Sequence, residues 1–186
     1  MKRVIVFIDG LNVRFRLREC GWSEYYDVGR VATELAGPRE LVHAAFYHPT
    51  PNVEHLGEAQ YAIERAYLES VRRDKNVVVP AGAYMAKRDA WVGGKKVGHV
   101  WEEKQTDVLL ASDLVFMAAT NQIDAAVVAS ADADIVPAIR RCTELGVPVE
   151  LLRFRGRNHP RLYSLEEVST SFRRARPSYF RPYATA

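Results

Sequence analysis

Arg3-Val4-Ile5-Val6-Phe7-Ile8-Asp9 is a run of aliphatic and aromatic residues that ends on a carboxylate, the pattern of a strand buried on both faces. Such a strand belongs inside a parallel sheet that helices cover on both sides. Leu41 to Tyr47, Val77 to Tyr84, Asp124 to Ser130 and Val147 to Arg153 repeat the strand-like character. Between them, Gly57 to Arg73 carries Tyr61, Ala62, Ala66, Leu68 and Val71 at roughly helical spacing, and Lys104 to Ala119 and Ala133 to Leu145 also read as helices. Asp27 is placed to cap a shorter helix ending at Leu35, and Gly146 closes a helix before Val147-Pro148 restarts an extended segment. The alternation predicts an α/β fold of three layers around a central, mainly parallel sheet of about five strands. One segment interrupts it. Gly93-Gly94 followed by Lys95-Lys96, between Trp91-Val92 and Val97 to Val100, reads as a hairpin with a basic tip.

The chain has 186 residues, of which 48% are hydrophobic and 26% charged, which suits one domain with a real core and excludes the composition of disorder. Cys20 and Cys142 stand far apart in no metal-ligand spacing, so free thiols in a reducing compartment are expected. The apolar run after Lys2-Arg3 is shorter than a signal-peptide core, and no run approaches the ~20 residues of a membrane span, so a cytoplasmic protein without a membrane partner is expected. Net charge is +3, unevenly placed: residues 151–186 hold eight Arg against two Glu, leaving residues 1–150 at −3. That basic segment also carries Phe154, Tyr163, Phe172, Tyr179, Phe180 and Tyr183, a composition suited either to phosphate and base contact or to packing its rings on the core. The expected division is therefore a domain over 1–153 and a basic, aromatic extension over 154–186.

In an open α/β sheet, ligands bind beyond the carboxyl ends of the strands. Asp9 ends the first strand, Asp132 and Asp134 follow the fourth, and Asp107 lies near the start of the helix after the hairpin. A single Asp after a strand is ordinarily a helix N-cap. Several converging carboxylates repel one another unless a cation neutralises them, and a hard, oxygen-seeking ion such as Mg²⁺ or Mn²⁺ suits that set. The chemistry implied is phosphodiester hydrolysis. Competing motifs fail on particular residues: Asp9-Gly10-Leu11-Asn12 lacks the glycines of a dinucleotide-binding turn, no P-loop or G-x-S-x-G element occurs, and Leu11 stands where a phosphatase using an aspartyl-phosphate carries its second Asp. The five histidines form no ligand spacing.

Phe7-Ile8-Asp9-Gly10-Leu11-Asn12 resembles the first-strand signature of the NYN domain, a branch of the PIN-like nucleases. Glu103-Lys104-Gln105-Thr106-Asp107-Val108 with Leu110-Ala111 and Asp113 is similar to that family's second element, and Ser130-Ala131-Asp132-Ala133-Asp134 to its third, followed by Gly146-Val147-Pro148-Val149. The motifs occur in the family's order over about residues 3–152. The resemblance implies a PIN-like fold and metal-dependent ribonuclease activity on RNA, single-stranded or structured, with catalytic acids at Asp9, Asp107, Asp132 and Asp134 and an Mg²⁺ or Mn²⁺ held by Asp9, Asp107 and Asp132. The alternatives are an RNA-binding module without turnover, or a DNA nuclease. Ala131 and Ala133 replace a usual Gly and Ser, and Gln105-Thr106 a common Gly-Val, changes that bear on loop geometry more than on the acids.

Supporting positions follow. Asn12 either orients Asp9 or a bound water, or caps the next helix; Ser130 has a hydroxyl suited to a carboxylate or a phosphate. Asp113 lies about 240° around a helix from Asp107 and ranks below the other acids. Lys95 and Lys96 at the hairpin tip, with Arg173, Arg174 and Arg176 in the extension, are the expected nucleic-acid contacts.

Overall fold

The computed structural model describes residues 2–154 and 163–183. In chain order the elements are β1 (Arg3–Asp9), α1 (Gly10–Glu19), α2 (Val28–Ala36), β2 (Glu40–Tyr47), α3 (Val53–Leu56), α4 (Glu58–Arg73), β3 (Val77–Val78), β4 (Tyr84–Val92), β5 (Lys95–Lys104), α5 (Thr106–Ala119), β6 (Ala125–Ala129), α6 (Val136–Glu144), β7 (Val149–Arg153), α7 (Tyr163–Val168) and β8 (Ser171–Arg174). Six strands form one parallel sheet in the order β3-β2-β1-β6-β7-β8, and β4 and β5 pair antiparallel as a separate ribbon.

β1 sits where its composition demands. Val4, Val6 and Ile8 face a core shared with α1, α2 and α4, while Ile5 and Phe7 face a second core shared with α5, α6 and α7. All five are fully buried, and each contributes about 1.5–3 kcal/mol of transfer free energy. These two cores define the three layers. The chain steps from β1 to β2 on one side and returns to β6 on the other, so the loops after β1 and β6 diverge and leave a crevice at the sheet's carboxyl edge.

The sheet has six strands rather than about five, because the extension supplies β8 beside β7. Phe180 and Phe154 are buried, and Phe180 meets Trp22 and Tyr26 at ring-centroid distances of 6.0 and 5.2 Å. Phe172 stays exposed. The Tyr163 ring and residues 155–162 and 184–186 of the extension lie outside the described residues. The strand expected over Val77 to Tyr84 is only Val77–Val78, since Pro80 supplies no N–H to a ladder and biases Val79 away from it. The hairpin turns at Gly93-Gly94, both at positive φ, and its strands run longer than the expected Trp91 to Trp101. Among the described residues no helix is long and apolar enough to cross a membrane.

Candidate metal centre

Asp9 ends β1 and caps α1. Its Oδ1 accepts from the Asn12 backbone N–H at 3.0 Å, and its Oδ2 accepts from the Ser130 hydroxyl at 2.9 Å. The same Ser130 oxygen accepts from the Asp132 backbone N–H at 3.1 Å, while the Asn12 side-chain oxygen accepts from the Ala131 N–H at 2.9 Å. The loop after β6 is thereby tied to the first turn of α1 across the crevice. Gly10 lets the start of α1 lie close against the end of β2 on the other side: a Cβ there would stand 2.8 Å from the Phe46 ring and the Tyr47 carbonyl oxygen and 2.9 Å from the His48 ring.

Asp132 accepts from the Asp134 N–H at 2.9 Å and so caps the short 3-10 turn Ala133–Ile135. Capping and site membership therefore coexist, because a carboxylate that spends one oxygen on a backbone N–H keeps the other. One carboxylate oxygen from each of Asp107, Asp132 and Asp134 lies within 4.8 Å of the others. Asp107 and Asp132 are partly buried and Asp134 is exposed. No ion pair joins these three to a basic side chain among the described residues. The donor set is all oxygen, and opposite ligands of Mg²⁺ stand about 4 Å apart, so these residues fit a hard divalent cation that keeps some of its water.

Asp9 is not in that group of three. It is 7% exposed, and burial pushes its carboxyl up to about 7, with the charges of Glu103 and Asp107 adding to the rise and the bonds from Asn12 and Ser130 opposing it. Glu103, at the end of β5, is the residue that sequence reasoning missed. Burial raises its carboxyl, and Asp107 and Asp132 push the same way; the Thr106 hydroxyl eases it without a well-formed hydrogen bond, since Glu103 Oε1 and Thr106 Oγ1 are both buried and unpaired. Glu103 lies within the stretch Glu103-Lys104-Gln105-Thr106-Asp107, which was the available signal. Gln105 has φ 77°, a left-handed conformation that costs a non-glycine residue about 1–2 kcal/mol.

Asp113 is drawn elsewhere: its Oδ2 accepts from the Tyr47 hydroxyl at 2.8 Å. Lys95 is exposed at the hairpin turn, and Lys96 pairs with Asp89 at 2.8 Å. Arg173 is anchored to Glu150 at 2.9 Å and to the Glu34 carbonyl oxygen at 3.0 Å, whereas Arg174 and Arg176 are exposed. Because β8 runs parallel to β1 and β6, Arg174 emerges on the same edge as the acids.

A crystal structure of a protein of unknown function from Vibrio parahaemolyticus shares the fold, with a TM-score of 0.66 at 18% identity over 96% of this chain and 95% of that one. A larger crystal structure from Parabacteroides merdae aligns with a TM-score of only 0.34 at 12% identity, over 92% of this chain and 31% of that one. No curated protein matches. The family described as the NYN domain matches residues 3–179, a span that includes both carboxylate-bearing loops and β8, and the chain belongs to that family.

Proposed function

We propose that this chain is a metal-dependent ribonuclease that hydrolyses RNA phosphodiester bonds at the crevice between β1 and β6. Its fold is of nuclease type, and the observation that carries the reading is the convergence of Asp107, Asp132 and Asp134 at the carboxyl edge with no basic side chain among the described residues spent on them. These three would hold Mg²⁺ or Mn²⁺, and Asp9 completes the acidic set from the end of β1. When bound, such an ion activates water and offsets charge on the phosphodiester in the transition state.

The chain's own residues supply the positioning. Ser130 holds Asp9 and the Asp132 backbone in one arrangement, and Asn12 fixes the loop that presents Asp132 and Asp134. Arg174 and Arg176 flank the same edge and provide cationic contacts for a phosphate backbone. The extension 154–186 works as part of the domain that 1–153 begins, since β8 completes the sheet. The test is incubation of purified protein with labelled RNA and labelled DNA in Mg²⁺, Mn²⁺ or EDTA. RNA cleavage lost in EDTA is expected. Cleavage of DNA alone moves the substrate class, and cleavage that persists in EDTA overturns the metal dependence.

A further inference from the structure

A cavity of about 660 Å³ opens beyond the end of β2, between α1, α3, α4 and the base of the hairpin. That volume lies within the range of sites for small organic ligands. Leu11, Arg14 and Phe15 reach it from α1, at spacings of three and four residues that place them on one helical face. The first turn of α1 thus serves two sites: Asp9 and Asn12 join the acids, and Leu11 joins the cavity. Asp9 and Tyr47 are register partners on adjacent strands, so the two sites are neighbours along the sheet's carboxyl edge.

The cavity's charges are already spent. Arg14 donates to both oxygens of Glu64 at 2.7 and 2.8 Å, and Arg18 donates to both oxygens of Glu24 at 2.8 and 2.6 Å. Glu64 Oε1 also accepts from the Tyr25 hydroxyl and from Gln60 Nε2. Phosphate binding needs uncompensated cations, so this floor does not suit a phosphate. It suits a neutral, flat, polar ring. Gln60 spends its nitrogen on Tyr25 and Glu64 and keeps its carbonyl oxygen as an acceptor, suited to an exocyclic amino group. At the rim Phe15 is 52% exposed, a ring suited to stacking that already has the Arg16 guanidinium 5.6 Å from its centroid, and the His55 ring is braced against Trp101 of β5 at 5.0 Å.

We propose that this cavity receives one unstacked nucleobase of a single-stranded RNA whose backbone crosses the acids, with Phe15 stacking on the base and Gln60 accepting a hydrogen bond from it. The inference rests on the ribonuclease reading for the course of the backbone, and it adds that a splayed single strand, not a continuous duplex, is the substrate form.

The test measures binding of a short fluorescent single-stranded RNA by anisotropy in EDTA, with a series of probes each carrying one abasic position. Phe15→Ala, at an exposed helix site that leaves the core untouched, should weaken binding about tenfold, and Gln60→Ala should weaken it less. One abasic position should weaken wild-type binding by a similar factor and cost the Phe15→Ala variant nothing further. Variants that bind the intact and abasic probes as the wild type does overturn the proposal, as does a wild type that binds no RNA. If the wild type cleaves RNA and the variants bind unchanged, the cavity assignment falls alone. If the abasic pattern appears and cleavage does not, the ribonuclease reading falls and the base site stands.

Discussion

Replacing Asp9 by Asn should make the metal-free chain more stable at neutral pH, although it removes a proposed site residue. Burial, with Glu103 and Asp107 nearby, pushes the Asp9 carboxyl up to about 7, while the unfolded chain ionises it near 3.8. Between about pH 4 and pH 7 the unfolded state has released a proton that the native state still holds. Stability therefore falls as pH rises through that window and levels off above it. A shift of about three pH units corresponds to about 4 kcal/mol as an upper figure. Asn preserves the cap, since its side-chain oxygen accepts from the Asn12 N–H, and its amide can donate to the Ser130 hydroxyl. The substitution removes chiefly the cost of burying a charge. In EDTA at pH 8 the variant should melt about 5–15 °C above the wild type, and the gap should close as pH falls toward 4. Adding Mg²⁺ or Mn²⁺ should raise the wild type more than the variant, because the cation binds native carboxylates. Thermal melts followed by circular dichroism across this range decide the matter. A variant that melts at or below the wild type at pH 8, or that keeps the wild-type pH slope, refutes the reasoning.

Three further outcomes follow from other contacts. Glu64→Gln leaves Arg14 buried without its bidentate partner and should cost about 3–5 kcal/mol, read as a lower urea midpoint, while the paired change Arg14→Met with Glu64→Leu should recover much of the loss. Gln105→Gly should raise stability by up to about 1 kcal/mol, because glycine adopts the left-handed turn freely; a lower melting temperature would contradict the strain assigned there. Arg174→Ala with Arg176→Ala should weaken RNA binding and flatten its salt dependence without moving the melt, whereas Arg173→Ala should chiefly lower the melting temperature by breaking one of the two ion pairs of Glu150, the other being with Arg39.

The central strand and the acids were readable because their signals are local. Arg3 to Asp9 declares itself by an unbroken apolar run, and Asp132 and Asp134 by their place just after another, Ala125 to Ala129. β8 was not readable: Ser171-Phe172-Arg173-Arg174 has the composition of a solvated tail, and it becomes a strand because β7 offers a free edge and Glu150 takes Arg173. The same contact removed Arg173 from the set of free cations. Glu103 escaped for a related reason, since only the fold brings this carboxylate near the end of β5 close to Asp107 and Asp132. Asp113 shows the converse, an acid in the right helix that Tyr47 draws away from the crevice.

The central claim is that the converging aspartates carry RNA cleavage, and the most direct measurement is the single-turnover cleavage rate of Asp132→Asn against wild type. Both proteins are matched for folding and assayed at saturating Mn²⁺ with RNA affinity measured in parallel. Loss of one carboxylate ligand should slow cleavage by about a hundredfold or more while RNA binding holds or tightens, because a charge that repels phosphate has gone. A variant that cleaves at the wild-type rate, in preparations free of contaminating nuclease, would contradict the account.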